Sequence, residues 1–248
     1  MDLYLLRASL VKSDGGCLFG NLPRPMWKKL LVPDRLNRVA LVCTVVLART
    51  DHDKLVLVDT GCGDPLWYDS SERRRRGLGS KWLLQESLRD LSLTFDQIGL
   101  VILTHLHWDH AGGAFRPVRA GRPVKSFPKA KYLIHALELQ TALGSDPVYY
   151  RAYPDRIRQG LRNMPEEDLR VWSSRSCRPA RNVSVQLDGG HSPGHCTVEF
   201  RGDITLRCRS GQIITRARSV LVAGDNIPTS KHLHFAYNMA YDNHPLVV

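Results

Sequence analysis

The sequence predicts a mixed α/β protein, and three observations predict it. Short apolar runs rich in β-branched residues recur at 39–49, 54–58, 100–103 and 219–223, with the composition of buried strands. Between them, 80–91 and 136–143 carry leucines and other apolar residues at near-helical spacing. The third observation is size. With 248 residues, 43% hydrophobic and 24% charged, the chain suffices for one large domain over 1–248 with a sizeable core.

In chain order, 1–12 reads as a first strand, closed by a turn at Ser13, Asp14, Gly15 and Gly16. Residues 17–34, rich in glycine, proline and basic side chains, read as a long loop ordered by Pro23, Pro25 and Trp27 and placed to cover a site. The runs 39–49 and 54–58 form an antiparallel hairpin through the polar turn 50–53, and the second ends in Asp59, Thr60 and Gly61. A mobile arginine-rich loop is expected at 63–79. A helix follows at 80–91, with Ser80 as its cap and Trp82 in the core or at its rim. The strand 100–103 stops at Thr104. A strand at 131–134 leads through His135, read as a packing or surface residue, into a helix at 136–143.

Residues 146–164 combine Tyr149, Tyr150 and Tyr153 with arginines, the pattern of a surface helix or of a pocket for an acyl chain or anion. Strands are expected at 171–172 and 183–187, and a hairpin at 197–200 and 205–208 around Gly202 and Asp203. A polar link or short strand at 212–218 precedes a buried strand at 219–223.

The charge balance, 35 basic against 24 acidic residues, gives a net +11, which favours anionic partners at long range. The basic residues are scattered apart from Arg73 to Arg76, and no aromatics interleave with that run. It reads as a solvated face, so nucleic acid is not an expected partner. Cys17, Cys43, Cys62, Cys177, Cys196 and Cys208 form no C-x-x-C pair, which suits a reducing compartment. Asp2 and Arg7 interrupt the N-terminal apolar stretch, and the longest apolar run, 39–48, is too short to cross a bilayer. A cytoplasmic protein without a membrane partner is the expectation.

The chemistry concentrates after the strand 100–103. Within six residues stand His105, His107, Asp109 and His110, followed by Gly112 and Gly113. Period-two alternation sends His105 and His107 to one face, and a turn can bring Asp109 and His110 beside them. Imidazole and carboxylate are the ligands of a borderline-soft divalent ion such as zinc. So many in one place suggest two adjacent ions completed from elsewhere in the chain. Three distant segments qualify. Asp59, at a strand end, is either a plain turn residue or the acceptor that orients a metal-bound imidazole. His191 and His195 compete as a ligand delivered by the glycine-rich segment 188–195. Asp225, ending a strand, can bridge two cations.

The array Thr104-His-Leu-His-Trp-Asp-His-Ala-Gly-Gly113 resembles the metal-binding signature of the metallo-β-lactamase superfamily, most of all its lactonase-type hydrolases. That resemblance implies an αββα sandwich, here lacking its last strand and helix, with two zinc ions as cofactor. It implies His105, His107 and His191 on the first ion, and Asp109, His110 and Asp225 on the second, with Asp225 shared. Asp59, His195 and His232 follow as supporting groups behind the ligands. The implied activity is attack of metal-activated water on a small ester or lactone, with Asp109 carrying the proton. A phosphodiesterase or nuclease on the same fold, or a non-catalytic remnant, are the alternatives.

Two departures stand out. The family's late histidine for the second ion is missing, so activity is expected to be impaired unless His244 substitutes. Where the best-known lactonases carry a tyrosine three residues past the bridging aspartate, this chain has Pro228.

Overall fold

A computed structural model of the chain describes residues 1–50, 53–118, 121–150, 152–234 and 236–248. Asp51 and His52 of the expected 50–53 turn, and Arg151 of the aromatic stretch, lie outside the described residues. Strands β2 (Arg38–Arg49) and β3 (Leu55–Val58) form the expected antiparallel hairpin, and β1 (Asp2–Asp14) adds antiparallel to β2, making a meander. Strands β4 (Ile98–Ile102), β7 (Lys131–His135) and β8 (Leu169–Trp172) then add in parallel beyond β3. Parallel neighbours need crossovers. Helix α4 (Leu83–Asp90) lies in the β3–β4 connection, while α5 (Ala136–Leu143), α6 (Pro147–Tyr150) and α7 (Asp155–Arg162) lie between β7 and β8. A two-stranded ribbon, β5 (Phe115–Arg116) and β6 (Val124–Lys125), sits between β4 and β7.

The other half of the sheet is β9 (Ser176–Ala180), β10 (Val183–Leu187), β11 (Cys196–Cys208) and β12 (Ile213–Val222). The order along the sheet is β8-β7-β4-β3-β2-β1-β11-β10-β9, with β12 on β11. The expected hairpin at 197–208 is instead the single strand β11. Its first half pairs with β10 and its second half runs parallel to β1, while β12 follows both. Gly202, at φ +115°, takes up the register shift between Arg201 and Ile204 as a bulge instead of a turn. Such a strand turns the corner between two layers.

Two apolar layers result. Leu3, Val46, Val58 and Ile102 from one half meet Val185, Val198 and Phe200 from the other, so the halves face each other. The alternate residues, among them Leu47, Leu57 and Val101, pack on Leu84 and Leu88 of α4 and Ile157 and Leu161 of α7. Helix, sheet and sheet are therefore three of the four layers implied by an αββα sandwich. Among the described residues no helix packs substantially on β9 to β12. The strand at 219–223 is correspondingly not buried: Leu221 is 58% exposed, and β12 pairs with β11.

The segments expected as loops contain short helices. Asp14 continues β1 and caps α1 (Gly15–Phe19), and α2 (Arg24–Trp27) follows within the expected 17–34 loop. Phe19 and Trp27 stack and bury with Val39 and Met239. In the expected 63–79 loop, Asp69 accepts hydrogen bonds from Ser71 and Glu72 N–H and starts α3 (Ser70–Arg76). Helix α4 begins at Leu83 after Trp82, so Ser80 is not its cap. No helix among the described residues is long and apolar enough to cross a membrane.

Candidate metal centre

The ends of β3 and β4 lie side by side, and the loops leaving them are laced together. Thr60 donates to the carbonyl of His110 from both its N–H (2.7 Å) and its hydroxyl (2.8 Å), and Gly113 N–H reaches the carbonyl of Gly61. The contact is too close for a side chain: a Cβ on Gly112 would lie 2.1 Å from the Trp108 carbonyl oxygen and 2.5 Å from that of Cys62. This is the physical use of the Gly-Gly pair.

The loop after β4 carries His105, His107, Asp109 and His110. His191 and His195 arrive on the loop between β10 and β11, which Cys196 N–H ties to the Thr104 carbonyl at 2.9 Å. Asp225 arrives just after β12. Two groups of donor atoms converge within 4.8 Å of one another: His105, His107 and His191 in one, and His105, His110 and Asp225 in the other. Asp225 stands between them, with its Oδ1 2.9 Å from His110 Nε2 and its Oδ2 3.3 Å from His191 Nε2.

Partners on the far side of the rings aim the imidazoles. Asp59, in the left-handed region at φ +62°, accepts from Thr104 N–H and hydroxyl and lies 2.8 Å from His110 Nδ1. The Thr104 hydroxyl has one proton and donates it to Asp59. It can therefore only accept from His105 Nδ1, 3.1 Å away. His191 Nδ1 is held by the fully buried carboxylate of Asp242 at 2.8 Å, which leaves Nε2 facing His107 Nδ1 at 2.9 Å. His195 Nδ1 pairs with Asp188 at 2.7 Å, and its Nε2 accepts from Asp225 N–H. The Asp225 backbone, as well as its carboxylate, is thus fixed.

One buried atom tests whether a cation fits. With Nδ1 donating to Thr104, His105 Nε2 is a bare lone pair, and it is buried with no hydrogen-bond partner. Unmatched buried polar atoms are costly. The residue that carries it, His105, belongs to both donor groups. The donor set of imidazole nitrogen and carboxylate oxygen suits zinc.

The electrostatics divide the histidines. Burial, reinforced by the neighbouring imidazoles, pushes His105 well below the usual histidine range, and burial beside His191 does the same to His107. Burial works against charge at His110 as well, but the Asp225 and Asp59 carboxylates overcome it and raise His110 well above that range. Asp225 and Asp242 likewise raise His191 against its burial. Burial raises Asp109, with Asp225 adding and His110 opposing. Asp225 is held below the usual carboxylate range because His110 and His191 outweigh its own burial.

The sequence-derived residues thus divide into several groups. His105, His107, His110, His191 and Asp225 are brought together, with Asp59 and His195 directly behind them. Asp109 lies beside His110 and Asp225 but belongs to neither donor group among the described residues. His232 stacks on Phe19, and its ring nitrogens meet the Leu18 carbonyl and the Thr229 hydroxyl, so it anchors α1. His244 is exposed and belongs to neither group, and its backbone N–H bonds to the Gly190 carbonyl, which weighs against its standing in as a ligand. His135 is buried against Trp172 and caps α5, accepting from Leu137 N–H.

Sequence reasoning missed Asp242, Asp188 and Thr104 as partners of the histidines. Asp188 and Thr104 adjoin the histidine motifs and were open to inspection. Asp242 lies in a polar stretch with no periodicity, and nothing local marks it.

The model of the metallo-beta-lactamase superfamily matches residues 38–245. Among characterised relatives, the N-acyl homoserine lactonase AiiB of Agrobacterium fabrum is 29% identical over 148 residues, 57% of this chain and 49% of the relative. The N-acyl homoserine lactonase AiiB of Rhizobium rhizogenes is 35% identical over 148 residues with the same coverage. The matched stretch spans about half the length of each relative. A probable metal-dependent hydrolase from Staphylococcus aureus superposes with a TM-score of 0.83 at 24% identity, over 99% of this chain and 80% of its own. AidC, a dizinc quorum-quenching lactonase in complex with a product, superposes with a TM-score of 0.71 at 18% identity, over 99% and 79%. At these identities the structures establish likeness of fold. With the family match running from 38 to 245, the chain belongs to the metallo-beta-lactamase superfamily.

Proposed function

We propose that the protein is a metal-dependent hydrolase that opens a small ester or lactone. The observation that carries this reading is the buried, unpartnered Nε2 of His105, a residue common to two donor groups with the Asp225 carboxylate between them. His105, His107 and His191 would hold one zinc ion, and His110, Asp225 and Asp109 a second. Bound cations of this kind lower the pKa of water from 15.7 toward about 7 and polarise a carbonyl oxygen.

The chain's own residues do the rest. Asp59, Asp242 and Thr104 fix which ring nitrogen of His110, His191 and His105 faces the centre. Asp109, beside His110 and Asp225, takes the proton of the attacking water and returns it to the leaving oxygen. On one flank Arg76 lies 4.1 Å over the Trp108 ring, and Arg156 lies 5.0 Å from the rings of both Trp67 and Tyr68. An aromatic wall stiffened by guanidinium groups can meet an acyl chain while its charge draws an anionic product. The matched lactonases lend the substrate class, while Pro228, where the best-known lactonases have tyrosine, argues for different handling of the ring.

The test is a panel of lactones, thioesters and phosphodiesters assayed with and without a chelator. Lactone or ester hydrolysis that disappears on chelation and returns with zinc supports the reading. Full activity after chelation defeats it. Turnover confined to phosphodiesters, with binding that falls steeply in salt, transfers the site to nucleic-acid chemistry.

A further inference from the structure

The carboxylate of Glu138 is almost completely buried, at 1% exposure, and lies outside the donor groups. It sits in the first turn of α5 and accepts from four donors. Oε1 takes the Leu106 N–H at 2.8 Å and the Tyr153 hydroxyl at 3.0 Å. Oε2 takes the Ser192 hydroxyl at 2.7 Å and the Gly194 N–H at 3.2 Å. A buried carboxylate with this many donors is satisfied without a cation.

The identity of the donors gives Glu138 its role. Leu106 is the residue between His105 and His107. Ser192 and Gly194 lie between His191 and His195. Tyr153 sets its ring 5.0 Å from that of His107. One side chain therefore clamps the backbone of one ligand loop to the backbone of the other, 84 residues apart in sequence between His107 and His191. The fit is tight: a Cβ on Gly194 would lie 2.1 Å from Glu138 N.

We propose that Glu138 is a positioning residue that sets the angle between the His105–His107 arm and the His191 arm of the first metal site. It touches neither substrate nor metal. The inference rests on the metal-centre reading above. The carboxylate form is needed because every partner donates. Glutamine has the same shape but presents N–H groups to donors on one side, and this shifts one of the two loops.

The test uses the metal-free full chain titrated with cobalt(II), whose visible absorption reports ligand geometry. Three proteins are compared: wild type, Glu138→Gln and Ser192→Ala, the last removing one donor and leaving the charge. Cobalt affinity of Glu138→Gln should fall about 10- to 100-fold, as for other groups that hold metal ligands in place. Its absorption bands should shift, and Ser192→Ala should show a smaller change in the same direction. The metal-free melting temperature is read in parallel, since a purely structural role lowers it and leaves cobalt affinity and spectrum untouched. That last pattern overturns the proposal. Should Glu138→Gln fail to fold, Ser192→Ala decides alone: a wild-type spectrum and affinity overturn the inference. A wild type that binds no cobalt overturns the metal-centre reading, and this inference with it.

Discussion

At the scale of single residues, the site is a set of imidazoles, and those of His105, His110, His191 and His195 are each turned by a partner behind the ring. Asp242 is the clearest case, since its fully buried carboxylate leaves His191 Nε2 as the atom facing His107. Replacing it by alanine frees the ring and should lower zinc affinity about 10- to 100-fold; isothermal titration against wild type measures this, and an unchanged affinity would contradict it. The electrostatics make a second prediction. In the metal-free protein His110 is raised above the usual histidine pKa, so it holds a proton at pH values just above about 6.5. A metal must displace that proton, so zinc binding near neutrality should release protons, and less as pH rises through the raised pKa. Titration in two buffers of different ionisation enthalpy checks the sign. Burial holds His105 and His107 neutral over the same range, so they contribute no protons there.

At the scale of elements, loops carry the site and strands aim it. Gly112 stands where the 59–63 loop touches the 104–113 loop, and its missing Cβ is what permits the contact. Gly112→Ala should cost about 1–3 kcal/mol by overpacking and should weaken metal binding through His110; urea denaturation and metal titration read the two effects separately. Away from the centre, Trp27 is a buried anchor for α1 and α2. Trp27→Ala should cost about 3–5 kcal/mol in urea denaturation and leave zinc affinity in titration unchanged. Much of this architecture was legible in the chain. Runs such as 55–58 and 100–103 announce strands because both faces are buried, and the His-X-His-X-Asp-His array announces a metal centre by its density.

What was illegible has physical causes. Short helices such as α2 and α3 lack an apolar stripe and are set by caps and local packing. The corner in β11 mimics a turn, because glycine and aspartate serve bulges and turns alike. Asp242 is found through tertiary contact, not local pattern.

At the scale of the molecule, two half-sheets meet face to face, and the centre forms where strands of both halves end. His105 and His107 leave β4 in one half, whereas His191 and Asp225 leave β10 and β12 in the other. A cation held by both donor groups would therefore tie the halves together, and adding zinc to the metal-free chain should raise the melting temperature.

The most direct test of the central claim is elemental analysis of the purified protein. About two equivalents of zinc or a similar divalent metal per chain are expected, lost in parallel with hydrolysis on dialysis against a chelator. A protein that carries no metal, takes up none on addition of zinc, and still keeps its fold would contradict it.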